Sequence, residues 1–103
     1  MATALTPLDV NTLPDGLLLT GAFLSAEQKA DRHSPDGSKT YKGKYVVTLL
    51  VGDRTFQIEY RDENNVYELT GYEITALDPM ARVALPVGVR SAQGYTFYYG
   101  RRP

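Results

Sequence analysis

Cationic and aromatic side chains coincide twice in this 103-residue chain: at Lys39, Tyr41, Lys42, Lys44 and Tyr45, and again at Tyr95, Phe97, Tyr98, Tyr99, Arg101 and Arg102. Ammonium and guanidinium groups neutralise phosphates and release their counterions, while ring faces stack on unpaired bases. A strand of exposed bases on a phosphate backbone asks for that pairing. Each stacked base contributes on the order of 1–3 kcal/mol without requiring a particular base. Tyr is also a good strand residue, so one or two of Tyr95, Tyr98 and Tyr99 are expected to belong to a core. A tyrosine- and arginine-rich surface equally suits the hot spot of a protein–protein adaptor or assembly subunit, which stands as the alternative.

Other chemistry finds little support. Cys is absent, which removes disulfides, thiolate metal sites and thiol catalysis. His33 is the only histidine, with no second His or Cys to complete a zinc site. Neither GxxxxGK[ST] nor GxGxxG occurs, and no Ser, His and Asp stand in a triad-like context, so neither an enzyme nor a cofactor is expected. Asp62, Glu63, Glu68 and Glu73 read as solvated turn and strand-face acids.

The net charge of −1 conceals alternating blocks. Residues 1–28 carry only Asp9, Asp15 and Glu27. Lys29, Arg32, Lys39, Lys42 and Lys44 then outnumber Asp31 and Asp36. Residues 53–79 set seven acids against Arg54 and Arg61, and Arg82, Arg90, Arg101 and Arg102 close the chain with no acid. A partner meets a local patch rather than the total, so near-neutrality does not argue against an anionic ligand. No apolar run is long enough to cross a membrane, and the N-terminus lacks the basic start and apolar stretch of a secretory signal. Together with the absence of Cys, this fits a cytoplasmic location.

The elements that must position these residues read as strands. Residues 1–15, with Pro7 and Pro14, suggest an irregular arm ahead of a single domain over residues 16–103. GLLLTGAFLSAEQKADR, from Gly16, reads as a long strand with Gly21 marking a bend or bulge, although SAEQKADR holds good helix formers. KYVVTLLV and RTFQIEY flank Gly52-Asp53 in the pattern of a hairpin. Phe56, Ile58 and Tyr60 share one face of the second run; Thr55, Gln57 and Glu59 share the other. RDENN reads as a turn and VYELTGYEITAL as a further strand. Pro86 places its strand at an edge or bulge. Gln93-Gly94 turns the chain into YTFYYGRR, with Tyr95, Phe97 and Tyr99 on one face. Five or six short strands without an amphipathic helix predict an all-β fold, a small five-stranded barrel of OB type.

Asp36-Gly37-Ser38-Lys39, leading into Gly43-Lys44-Tyr45 and a hairpin turning at Gly52-Asp53, resembles the filamentous-phage gene V class of single-stranded DNA-binding proteins. The resemblance covers roughly residues 16–103 and lies in the order of parts. It implies a homodimer or higher homo-oligomer that coats single-stranded DNA in a bacterial or phage-infected cell. It also implies contacts from Arg32, Lys39, Tyr41, Lys44 and Tyr45. With the charge and aromatic pattern, the expected contact set extends to Lys42, Arg90, Tyr98 and Arg101. The acidic 53–79 block departs from the family pattern.

Overall fold

The computed structural model describes residues 16–102. The expected arm over residues 1–15 lies outside the described residues. Five strands close a barrel: β1 (Leu17–Gln28), β4 (Tyr45–Val51), β5 (Arg54–Tyr60), β6 (Arg82–Ala92) and β7 (Tyr95–Gly100). Two short strands, β2 (Arg32–His33) and β3 (Thr40–Tyr41), form a separate ribbon inserted between β1 and β4. The order around the barrel is β1-β4-β5-β7-β6, returning to β1. All neighbours are antiparallel except β5 and β7, which meet in parallel at Ile58↔Tyr98 and Glu59↔Tyr99. This is the small OB-type barrel the sequence predicts.

β1 closes the barrel because it is long enough to serve two partners. Its first half pairs with β6 from Leu17↔Val87 to Ala22↔Arg82, and its second half pairs with β4 from Ala22↔Leu50 to Gln28↔Tyr45. The change of partner falls at Ala22, one residue beyond Gly21, and the register slips between Phe23 and Ser25. The expected bend is therefore present, with its bulge slightly downstream.

Alternation along the strands builds the core. Val47, Leu49, Ile58, Leu85 and Val87 are fully buried, with Phe23, Tyr45, Tyr60 and Val83 packed among them. Gln57 and Thr55 remain on the wet face of β5, as their parity requires.

Two local readings are corrected. The stretch read as a turn and strand contains helix α1 (Glu63–Thr70), followed by a 3-10 turn at Ile74–Ala76. The Asp62 side chain accepts the Asn65 N–H at 2.8 Å, and Gly71 closes the helix by donating to the Tyr67 carbonyl. This segment joins the end of β5 to the start of β6, which lies beyond β7 around the barrel, while burying Val66 and Ile74 against the barrel. Tertiary need overrides the strand-like content of Val66, Tyr67 and Thr70.

Pro86, expected at an edge or bulge, instead lies within β6, a strand paired on both sides. Its carbonyl accepts the Arg101 N–H at 3.2 Å, so its own nitrogen also faces the β7 side. That ladder stops at Val87↔Gly100, and no N–H is needed there.

Candidate nucleic-acid interface

The segment between β1 and β4 is more ordered than a plain loop. Arg32 pairs with Tyr41 and His33 with Thr40, making a two-rung ribbon. At its tip the Asp36 carboxylate accepts the Ser34 hydroxyl at 2.6 Å, the Ser38 hydroxyl at 2.8 Å and the Ser38 N–H at 3.0 Å. These bonds, the Ser34 hydroxyl foremost, hold the Asp36 pKa down at about 2. At the base of the ribbon Lys29 N–H donates to the Lys44 carbonyl, and Gly43 N–H donates to Asp31. The two limbs cross so closely that a side chain at position 43 would overlap the Lys29 carbonyl. The ribbon is thereby fixed to the barrel where its cations gather.

Three grooves meet on this side. One of about 470 Å³ has Lys29, Arg32, Lys42 and Lys44 among its lining and reaches Val46, Gln57 and Glu59 of the barrel wall. A second, about 510 Å³, shares Val46, Gln57 and Glu59 and continues to Thr96, Phe97 and Tyr98. A recess of about 870 Å³ shares Lys42, Gly43, Lys44 and Glu59 with the first and extends to Arg61, Arg90 and Tyr99. Glu59 lines all three, so the grooves adjoin around it and together form a trough over β4, β5 and β7. In OB-type barrels the face of the second and third strands, with the loop joining the first two, is a common oligonucleotide surface.

Its charges differ in commitment. Lys44 Nζ lies 2.9 Å from Glu59 Oε2, Lys29 Nζ lies 2.5 Å from Glu27, and Arg61 Nε lies 3.4 Å from Asp62. Among the described residues, Arg32, Lys42 and Arg90 have no acidic partner. Arg90 instead sits over the Phe97 ring, 5.5 Å from its centroid, and Phe97 neighbours Tyr95 at 6.5 Å. Tyr99 lies across Gly88, where any added side chain would overlap its ring. The outer face of β7 thus presents Tyr95, Phe97 and Tyr99 beside a cation.

Of the expected contact residues, Arg32, Lys42, Lys44 and Arg90 line the trough. Tyr41 is exposed on the ribbon beside Arg32, in a small adjoining groove. Lys39 is exposed near the ribbon's tip and lines none of the grooves.

Of the remaining three, Tyr45 and Arg101 stand outside the site and Tyr98 reaches it only in part. Tyr45 is 7% exposed and belongs to the core, so it has no free ring face; burial, with Glu63 nearby, raises its pKa. Tyr98 faces inward by strand parity and packs edge-on against Phe56 at 5.5 Å, leaving only part of it at the groove. Arg101 folds its guanidinium against Gly16, just before β1, and lines none of the three grooves.

The residues the expected set lacks are Lys29, Tyr95, Phe97 and Tyr99. Alternation already placed the three rings on one face. The Arg90↔Phe97 register, invisible in sequence, shows which face is wet.

The acidic block does not interrupt the trough. Glu59 lies within it but is matched by Lys44, and Asp62 is held by Arg61 and Asn65. Glu63 and Glu73 line a different groove beside α1. Among the described residues no group of three or more His, Cys, Asp or Glu is placed to hold a metal, and no helix is long and apolar enough to cross a membrane. No family model, curated protein or solved structure matches this chain.

Proposed function

We propose that this barrel binds single-stranded nucleic acid, DNA foremost, with little sequence preference and without catalysis. The observation that carries the reading is the set of adjoining grooves whose linings combine cations that have no acidic partner among the described residues with outward rings. Arg32, Lys42 and Arg90 neutralise phosphates along the path, while Phe97 and Tyr99 in the grooves, and Tyr95 exposed beside Phe97, offer ring surface to bases. Tyr41 and the ribbon extend the contact beyond the barrel wall. Assembly into a homodimer or higher homo-oligomer, in the cytoplasm of a bacterial or phage-infected cell, belongs to the same proposal. Those parts come from the resemblance in sequence pattern to the gene V class.

Titration with a short oligothymidine at increasing salt, followed by tyrosine emission, tests the reading. Affinity is expected to fall steeply with salt, and emission to quench on binding. Absence of binding at low salt would leave the tyrosine- and arginine-rich surface to a protein partner and sink the proposal.

A further inference from the structure

The recess at the C-terminal ends of β5 and β7 differs from the two grooves it joins. At about 870 Å³ it is larger than either, and its volume lies in the range of small-molecule sites. Tyr60 packs on Gly100 as part of its lining, and Val89 adds apolar surface.

Four cations and three acids line it: Glu59 matches Lys44, Asp62 matches Arg61, and the Asp31 carboxylate accepts the Gly43 N–H at 2.6 Å, so the lining keeps one positive charge in excess. The two with no ion pair among the described residues, Lys42 and Arg90, come from separate elements, the ribbon's base and β6. Arg90 is steadied over Phe97, and Tyr99 lies against Gly88 with its side chain partly exposed.

The recess also has spare hydrogen-bonding groups. Asn65 Oδ1 accepts the Arg61 N–H at 3.2 Å, which leaves its Nδ2 available as a donor. Gln28 Nε2 donates to the Lys29 carbonyl at 3.2 Å, leaving its Oε1 as an acceptor. A positive pair, a ring face and one spare donor and acceptor match a phosphate joined to a base, since a base edge carries both kinds of group.

We infer that this recess is a mononucleotide subsite: one nucleotide leaves the strand path, its phosphate seated by Lys42 and Arg90 and its base against Tyr99. The inference rests on the strand-binding reading above and adds a discrete seat to it. Such a seat binds a free nucleotide, which a uniform electrostatic trough does not.

The test titrates the full chain with thymidine monophosphate, thymidine, inorganic phosphate and oligothymidine, observed by backbone amide chemical shifts. Thymidine monophosphate is expected to bind more tightly than thymidine or phosphate, moving Asn65, Arg90, Tyr99 and Gly100. Arg90→Gln or Lys42→Gln should weaken it about tenfold or more, as loss of a charge-assisted hydrogen bond does. Lys39→Gln, at the exposed ribbon tip, should leave it unchanged. Phosphate or thymidine binding as tightly as the nucleotide overturns the seat. So does oligothymidine binding with no nucleotide binding, which leaves the strand reading standing. Failure of both removes the two together.

Discussion

Glu59 is the acid inside the proposed strand path, and its replacement by Gln gives a signed, salt-dependent prediction. In the native protein Glu59 holds Lys44 at 2.9 Å, so Lys44 is not available to release counterions from a strand. The trough cations without acidic partners among the described residues, Arg32, Lys42 and Arg90, give a slope of log affinity against log salt of about −2, at roughly 0.7 per phosphate neutralised on a single strand. Glu59→Gln frees Lys44 and steepens the slope to about −3. At about 0.1 M salt this is an affinity gain of roughly fivefold, shrinking towards none near 1 M. The pair is partly exposed, so the fold should change in stability by no more than about 1 kcal/mol.

Lys44→Gln should do the reverse, leaving Glu59 uncompensated in the path, and the double variant should return close to the parent affinity. Fluorescence titration with oligothymidine at several salt concentrations measures all three. A Glu59→Gln protein that is folded yet binds no more tightly at low salt would refute the placement of the strand over β4 and β5.

Other perturbations separate core from surface. Tyr45→Ala should cost about 3–5 kcal/mol in urea unfolding, because it empties a buried aromatic site, and any loss of binding should follow from unfolding. Tyr95→Ala, at a site 69% exposed, should leave stability within about 0.5 kcal/mol while reducing oligothymidine affinity. Tyr60 carries a buried hydroxyl with no hydrogen-bond partner among the described residues, and its burial raises its pKa. The folded state therefore holds that proton more tightly than the unfolded chain, so stability present below pH 10 is lost as pH rises beyond it. Tyr60→Phe should be neutral or stabilising at pH 7 and should unfold at higher pH than the parent in an alkaline titration. For Asp36 the sign is opposite: its depressed pKa stabilises the ribbon above 3.8, and that contribution is lost as pH falls through about 2. Slowed exchange of the Ser38 amide should accordingly persist at pH 5 and disappear near pH 2.

The barrel was legible wherever alternation was strict. Tyr45↔Tyr60 through Val51↔Arg54, turning at Gly52-Asp53, is the hairpin read from the letters, and Ala92↔Tyr95 is the one read from Gln93-Gly94. Helix α1 was not read, although Asp62 at its start and Gly71 at its end are ordinary helix boundary signals. Its eight residues are too short for periodicity to outweigh their strand-forming content, and only the strand order, with β7 between β5 and β6, requires a long connection there. The cations of the trough were legible because charge clusters survive in one dimension. Its rings were not, because parity divides Tyr98 from Tyr99 without saying which side faces water.

That ambiguity is itself informative about how the molecule works. Tyr45, Tyr60 and Tyr98 pack with the core, while Tyr41, Tyr95 and Tyr99 are exposed, so one residue type serves both cohesion and contact. What assigns the roles is register alone. A one-residue slip of β7 would turn Tyr99 inward and Tyr98 out, and would carry Arg90 off Phe97. Gly88 and Gly100 oppose such a slip: the first accepts the Tyr99 ring from outside, and the second accepts the Tyr60 ring within. Gly88→Ala is therefore the change that should uncouple the two roles. It displaces Tyr99 from its seat while leaving Tyr60 on Gly100, so binding should weaken more than stability falls. Gly100→Ala strikes the buried ring instead and should cost stability first, at about 1–3 kcal/mol for overpacking. Urea unfolding and oligothymidine titration on the two variants give that double dissociation. Equal losses of both properties in both proteins would mean that Tyr99 belongs to the fold rather than to the strand path.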